Sequence, residues 1–476
     1  MTFALRDYQA RMIAETRDHM RAGRKAILCQ AATGAGKTAL AAFMLGTASA
    51  KNNRCGFLVH RRELVSQSAK MFERVGIPYS VMSPGFQPPR GHSFYYPDAR
   101  IQIASVQTVG RRLDRIPDYD FITWDEAHHC SAGTWKKIRA RFPKAYHVGL
   151  TATPWRLDGA GLGEYFEVMV QGPPIRDLIR LSHLSAYELY APPGVSIQGL
   201  HLRAGDYAQE ELRQAVDKPT VTGDIVKHYW RHARGKRALG FAVNVEHSKH
   251  VVAEFNKYGI PAAHVDAETN SDIRDAIFAD LEAGTLLVVM NVDLASEGFD
   301  CPAVEAVILA RPTQSLGMYL QQVGRALRPS PGKDKAIILD HAGNSLEHGL
   351  PDDERDWTLE GRGGMSRARL NGSLSLRTCM ACFRVQRSGP PKCLYCGAVF
   401  EVQGRQVEFA EGELERRATT FDGPPLTVPV QPKPRKVDTM TEAELVTLFK
   451  TKGYRRPNLL ARSIITQRAL HASLGG

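Results

Sequence analysis

The segment that most constrains this chain is AATGAGKT, Ala31 to Thr38, set between the apolar run AILCQ and the helical run ALAAFML. A strand, a glycine-rich turn and a helix N-terminus in that order aim backbone N–H groups and the positive end of a helix dipole at one point. An anion binds there. Glycines let the backbone approach phosphate oxygens, a lysine meets the outer phosphates, and a hydroxyl ligates magnesium. Thr33, Gly34 and Gly36 form the loop, Lys37 supplies the cation and Thr38 the hydroxyl. Ala31 stands where the general pattern has its first glycine, so the strand–loop–helix context carries the reading. Such a unit belongs in a parallel α/β sheet that binds ligands at the carboxyl ends of its strands.

Other apolar runs keep the same rhythm. KAILCQ, RCGFLVH, RIQIAS, DFITW and YHVGLT alternate with helical patterns, and after a break RALGFAV, TLLVVM, VEAVILA and KAIILD do so again. Two series predict two α/β domains with parallel sheets covered on both faces, in keeping with a length of 476 residues, too long for one core. Proline and glycine interrupt the rhythm in QGPPIRDLIRLSHLSAYELYAPPG. The expected division is 1–187 and 188–348 for the two domains, 349–374 for a connector and 375–402 for a small four-cysteine element. A proline-rich linker, 403–438, and a basic helical tail, 439–476, follow, with Thr441 ahead of an acidic first turn.

The stretch FITWDEAHHC, Phe121 to Cys130, offers five potential metal ligands in six positions. It follows an apolar strand of the first series, so Asp125 and Glu126 fall at a carboxyl end, where the phosphate loop also opens. An acidic pair there suits phosphoryl transfer, with Asp125 holding Mg2+ and Glu126 polarising the attacking water. The rival is a protein-held transition metal on His128 and His129. Adjacent helical residues point about 100° apart and lack the i, i+4 spacing of a helical zinc pair, which disfavours it.

The chain carries 62 basic and 50 acidic residues, a formal charge of +12. That excess favours a polyanionic partner. The N-terminus MTFALRDYQARMIAET lacks a signal-peptide pattern and no apolar run is long enough to span a bilayer, so a cytoplasmic protein with no membrane partner is expected. Of eight cysteines, Cys379, Cys382, Cys393 and Cys396 cluster as C-x2-C-x10-C-x2-C. Two such knuckles offer four thiolates to one tetrahedral Zn2+ and leave no open position, the mark of a structural site. Arg377, Arg384, Arg387 and Lys392 surround the cluster, and KPRK and GYRRP, with Tyr454, lie downstream. A ribbon of this composition serves either as nucleic-acid contact or as a folding staple.

Taken in order, the motifs resemble the superfamily-two helicases and translocases of the DEAH/DExH kind. LRDYQ resembles the adenine-recognising segment, which implies that Gln9 reads adenine. AATGAGKT is similar to motif I, LVHRRELVSQ to motif Ia, ASVQTV to motif Ib, WDEAHH to motif II and GLTATP to motif III. In the second series GFAVNVEHS resembles motif IV, NVDLASEGFDCP motif V and QQVGRALRP motif VI. The resemblance covers residues 3 to 345 and implies two RecA-like domains with ATP between them. It implies nucleotide contacts from Gly298 and Asp300, catalytic roles for Gln321, Arg325 and Arg328, and nucleotide coupling through His128, Thr151 and Thr153. Arg61, Arg62, Gln107 and Thr108 would meet the nucleic-acid strand.

A motor of this kind followed by a four-cysteine element is similar to the RadD-type DNA repair proteins of bacteria and related phage helicases. The implied function is ATP-dependent movement on DNA, single-stranded or branched, in repair, recombination or phage DNA metabolism, with a possible repair or replication protein as partner. An ATP-gated clamp that does not separate strands is an alternative, and so is an RNA helicase, because motors that track phosphates do not thereby read the sugar.

Overall fold

The computed structural model describes residues 4–60, 63–84, 86–88, 91–130, 133–156, 159–191, 202–203, 206–207, 219–292, 301–361, 376–400, 440–451, 458, 461–462 and 464–465. The chain divides into two units, Met1–Val402 and Gln403–Gly476.

In the first unit the initial sheet has seven strands: β1 Ala26–Gln30, β2 Cys55–Val59, β3 Ser80–Met82, β4 Ile101–Ser105, β5 Phe121–Trp124, β6 Tyr146–Thr151 and β7 Val168–Gln171. Their order is β3-β4-β2-β5-β6-β1-β7, and every pairing is parallel. The helices are α1 Asp7–Arg21, α2 Lys37–Ser49, α3 Glu63–Val75, α4 Val106–Gly110, α5 Gly133–Arg141 and α6 Ile175–Arg180. Strand residues alternate between two apolar layers, as the period of two requires. Ile27, Cys29, Phe57 and Val59 pack with Met12, Leu45 and Phe72. Leu28, Leu58 and Trp124 face Val109, Trp135 and Ile138.

The second sheet has six strands: β8 Tyr187–Tyr190, β11 Ala238–Phe241, β12 Ala262–Val265, β13 Val288–Asn291, β14 Ala306–Leu309 and β15 Ala336–Asp340. A small antiparallel pair, β9 Leu202–Arg203 and β10 Asp206–Tyr207, precedes β11. The order is β12-β13-β11-β14-β15-β8, again parallel throughout. Its helices are α7 Pro219–His232, α8 Val245–Lys257, α9 Ser271–Ala283, α10 Leu316–Ala326 and α11 Asn344–His348. These are the two tandem α/β domains that the apolar runs predict. β8 begins at Tyr187, the last residue of the first expected domain, so this sheet takes up the chain within the proline- and glycine-broken stretch.

The four-cysteine element pairs β16 Leu376–Thr378 with β17 Val385–Arg387 antiparallel. It is docked on the second domain: Ala191 N donates to Phe383 O at 3.0 Å, Arg384 pairs with Glu188, and Arg387 pairs with Asp353. In the second unit α12, Glu442–Thr451, starts at a capping box, with Thr441 N donating to Glu444 Oε2 at 2.8 Å and Glu444 N to Thr441 Oγ1 at 3.4 Å. Leu445, Phe449 and Ala461 form its small apolar cluster. No described helix is long and apolar enough to cross a membrane.

Candidate nucleotide site and metal centre

β1 is buried along its whole length and delivers the chain to the loop at Ala31, whose N–H donates to Thr151 O at 2.9 Å. Gly34 and Gly36 have φ of 83° and 79°, the left-handed region that favours glycine. Ala31 is not among the four described non-glycine residues with positive φ, which explains why alanine serves where the general pattern has glycine. Gly36 caps α2, and Lys37 opens it with Nζ 3.5 Å from Ala31 O. A side chain at Gly36 would meet Gln9, because its Cβ would lie 2.6 Å from Gln9 Nε2. Gln9 donates to the carbonyls of Ala35 (3.1 Å) and Gly36 (3.3 Å), and its Oε1 accepts from Arg6 N at 3.0 Å. Tyr8, which sequence reasoning passed over, donates its hydroxyl to Ala35 O at 2.6 Å. Gln9 thus braces the phosphate loop directly, and reading adenine would draw on the same amide.

The strand order β5-β6-β1 sets Asp125 two strands away from the loop, with β6 between. Asp125 is buried, and its carboxyl is pushed up to about 7, first by burial and then by the charge of Glu126, with Lys37 and His60 pulling the other way. Glu126 is held at φ 48°, a costly angle for a side chain of its size and one that recurs where geometry serves chemistry. Its Oε2 lies 3.5 Å from His128 Nδ1, which is also 3.2 Å from Thr151 Oγ1. The Thr151 hydroxyl donates to Thr153 O at 2.7 Å, which uses its one proton. His128 therefore donates from Nδ1 to Thr151, and the Glu126 carboxylate lies beside that imidazole at the strand end bearing Thr151 and Thr153. His129 packs against both His128 and His60, with ring centroids 4.3 and 4.4 Å away, and stacks on the latter. Cys130 is buried and its thiol is pushed up to about 12 by burial, the state of an inert core thiol.

The second domain meets this site through α10. Ser315 caps the helix, accepting from Met318 N at 3.2 Å, and Gln321 and Arg325 are buried. Gly324 lies so close to the phosphate loop that a Cβ there would sit 2.5 Å from Thr33 Cβ. Arg328 runs over Gly34, its Cγ 3.5 Å from where a Cβ would stand. The end of α10 is pinned by Lys333, whose ammonium donates to Ala326 O and, at 2.8 Å, to Arg328 O. No motif marks that lysine in the sequence.

Thr108 is buried and its hydroxyl lies 2.9 Å from Ser105 Oγ, while Gln107 of the same helix is exposed. Of this pair only Gln107 presents its side chain outward. Arg61, Arg62, Gly298, Asp300 and Tyr454 lie outside the described residues.

Among the described residues, the group of three or more ligands able to hold a metal is Cys379, Cys382, Cys393 and Cys396, with all sulfurs within 4.8 Å of one another. Cys379 and Cys396 sulfurs are 3.6 Å apart, and Cys382 and Cys393 sulfurs 3.8 Å. Tetrahedral zinc with Zn–S bonds of about 2.3 Å requires sulfurs ~3.8 Å apart, whereas a disulfide requires about 2.05 Å. The donor set and its spacing fit zinc. Around it, Arg384 and Arg387 are committed to Glu188 and Asp353, and Arg377 stacks over Phe400 at 3.5 Å.

Fold and site together define a two-domain phosphate-loop enzyme with acidic residues and a cross-domain arginine helix at one cleft. Residues 2–156 match the family described as "Type III restriction enzyme, res subunit", and residues 218–330 match "Helicase conserved C-terminal domain". A 51.5 kDa protein of a Lactococcus phage (isolate 7-9) is 33% identical over 389 residues, covering 82% of this chain and 81% of its own. A Schizosaccharomyces pombe protein, irc3, provisionally named a mitochondrial ATP-dependent helicase, is 29% identical over 354 residues. The match covers 71% of this chain and 57% of that longer protein. A solved fragment provisionally assigned as the HsdR subunit of a Vibrio vulnificus YJ016 type I restriction enzyme has the same fold, with a TM-score of 0.57 at 23% identity. It covers 72% of this chain and 65% of that one. The chain belongs to the superfamily-two helicases. It is an ATP-hydrolysing enzyme that acts on nucleic acid.

Proposed function

We propose that this protein is an ATP-driven DNA helicase or translocase of the RadD-like kind, acting from the cytoplasm in DNA repair, recombination or phage DNA metabolism. The observation that carries the reading is the seating of Gly324 on Thr33. It brings the helix bearing Gln321, Arg325 and Arg328 onto the phosphate loop. Lys37 and Thr38 hold the phosphates and Mg2+, and Asp125 is the second magnesium ligand. Glu126 orients the attacking water. Arginine supplied across the cleft stabilises the charge that develops in hydrolysis, so chemistry waits for closure. His128, Thr151 and Thr153 pass the state of that site along β6. Gln9 braces the loop and reads adenine, and Gly298 and Asp300 complete the nucleotide side. The strand is met by Arg61, Arg62 and Gln107, and zinc holds the four-cysteine ribbon.

DNA is favoured over RNA because the first domain matches a family named for restriction enzymes, whose substrates are DNA. ATPase rates with single-stranded, duplex and branched DNA and with RNA, at one salt concentration, test this, together with strand displacement on a tailed duplex. Stimulation by RNA alone would overturn the DNA assignment, and stimulation without displacement would reduce the activity to translocation or clamping. Lys37→Ala and Glu126→Gln are each expected to lower stimulated hydrolysis by at least about a hundredfold. Retained activity would remove those residues from their roles.

A further inference from the structure

After α11 the chain does not simply lead to the ribbon, as a connector over 349–374 would. It crosses from the second domain back to the first. Its near end is fixed on the second domain: Tyr319 donates its hydroxyl to Gly349 O at 3.2 Å, and Asp353 Oδ2 accepts from Leu350 N at 2.8 Å. Arg355, half-buried, donates from Nη1 and Nη2 to the carbonyls of Pro351, Asp353, His348 and Leu350. The far end lies on the first domain. Gln171 Nε2 donates to Trp357 O at 2.9 Å, Trp155 Nε1 to Thr358 O at 3.0 Å and Gly163 N to Leu359 O at 2.9 Å. Ala160 and Gly361 form a β-bridge. Gly161 permits the contact, since a Cβ there would stand 1.9 Å from Leu359 O.

Trp357 lies between the two anchorages. Its ring is edge-on to Trp155 with centroids 4.7 Å apart. It shares a small cavity with Thr153, Ser315, Leu316 and Gly317. Those neighbours are the end of the His128–Thr151 link and the first turn of α10. Gly317 brings the two within touch, because a Cβ on it would lie 2.9 Å from Thr153 Oγ1. The indole therefore lines the wedge where the strand end that carries Thr151 and Thr153 meets the helix that carries the arginines.

We propose that Trp357 is a positioning residue for ATP hydrolysis: seated by the strap Leu350–Gly361, it holds the start of α10 against Thr153 so that Arg325 and Arg328 meet the phosphate site. This rests on the arginine roles proposed above. Packing at the wedge fixes where the arginines arrive but touches no nucleotide. Its loss therefore acts on the step that needs arginine and leaves ground-state binding by the phosphate loop intact.

The test uses the full chain with saturating single-stranded DNA. Trp357→Ala is expected to lower kcat by about tenfold or more with the KM for ATP within about twofold, and Trp357→Phe to restore most of kcat. A non-hydrolysable ATP analogue with DNA should change tryptophan emission in the native protein, and the change should be lost in Trp357→Phe. Unchanged kcat in Trp357→Ala overturns the proposal. So does a fall in kcat matched by a lower melting temperature and not rescued by phenylalanine, which is the behaviour of a packing residue only. Arg325→Ala is the control: if it keeps native kcat, the reading of α10 fails, independently of the strap.

Discussion

In its proposed role as a magnesium ligand Asp125 must be ionised, and yet it is buried beside Glu126. Its folded pKa of about 7 lies above the 3.8 of an exposed aspartate. Between those values the nucleotide-free fold holds a proton that an unfolded chain would release. That proton favours the empty fold at low pH, and Mg·ATP must expel it on binding. Below about pH 7 the KM for Mg·ATP should therefore rise by about tenfold per pH unit, while above about pH 7.5 it should be flat. A KM series from about pH 5.5 to 8 checks this, and a flat series would mean that Asp125 keeps its charge without the metal. At this scale the placement of the candidate residues was legible: Lys37, Asp125, Glu126 and His128 stand in ordered motifs, and the fold brings them to the carboxyl ends of β1 and β5. The proton position on His128 was not legible, since it follows from the single hydroxyl proton of Thr151. Nor was Lys333, whose partners are backbone carbonyls and so leave no trace in side-chain pattern.

Helix α10 is as much an interdomain surface as a carrier of the side chains proposed to be catalytic. Gly324 has no room for a Cβ against Thr33, and nothing within the helix itself asks for glycine there. Gly324→Val should hold the cleft open, lowering stimulated ATPase at least about tenfold while the melting temperature stays within a few degrees of native. Rates at saturating ATP together with a thermal scan check it. The strands of the two sheets differ in what their apolar runs reveal. Strands inside the sheets, such as AILCQ and FITW, are buried at every position and read as unbroken apolar runs. At the edges, β3 and β12 are only partly buried, and β7 ends in an exposed glutamine. Their sequences carry weaker signals for that reason. The strap was beyond reach for another reason: the bond from Trp155 to Thr358 joins residues 203 apart, and no local pattern encodes such a pairing.

For the molecule as a whole, the ribbon is a docked part of the motor's second domain. Two of its arginines, Arg384 and Arg387, pair with Glu188 and Asp353, and Met380, Leu394, Tyr395 and Val399 are its exposed large apolar residues. Zinc content of about one ion per chain is expected, and its removal should loosen more than the ribbon, because Asp353 also caps the strap at Leu350. Hydrogen exchange should then quicken over 376–400 and 350–361 together. Faster exchange confined to the ribbon would show that Arg387 transmits nothing. The chain passes between the two domains first through 172–186 and again through 350–361. A body attached at two separate points keeps a rotation about the line joining them but loses free translation. Two such attachments favour a cleft that opens by swinging, as a door does, over one that opens by sliding.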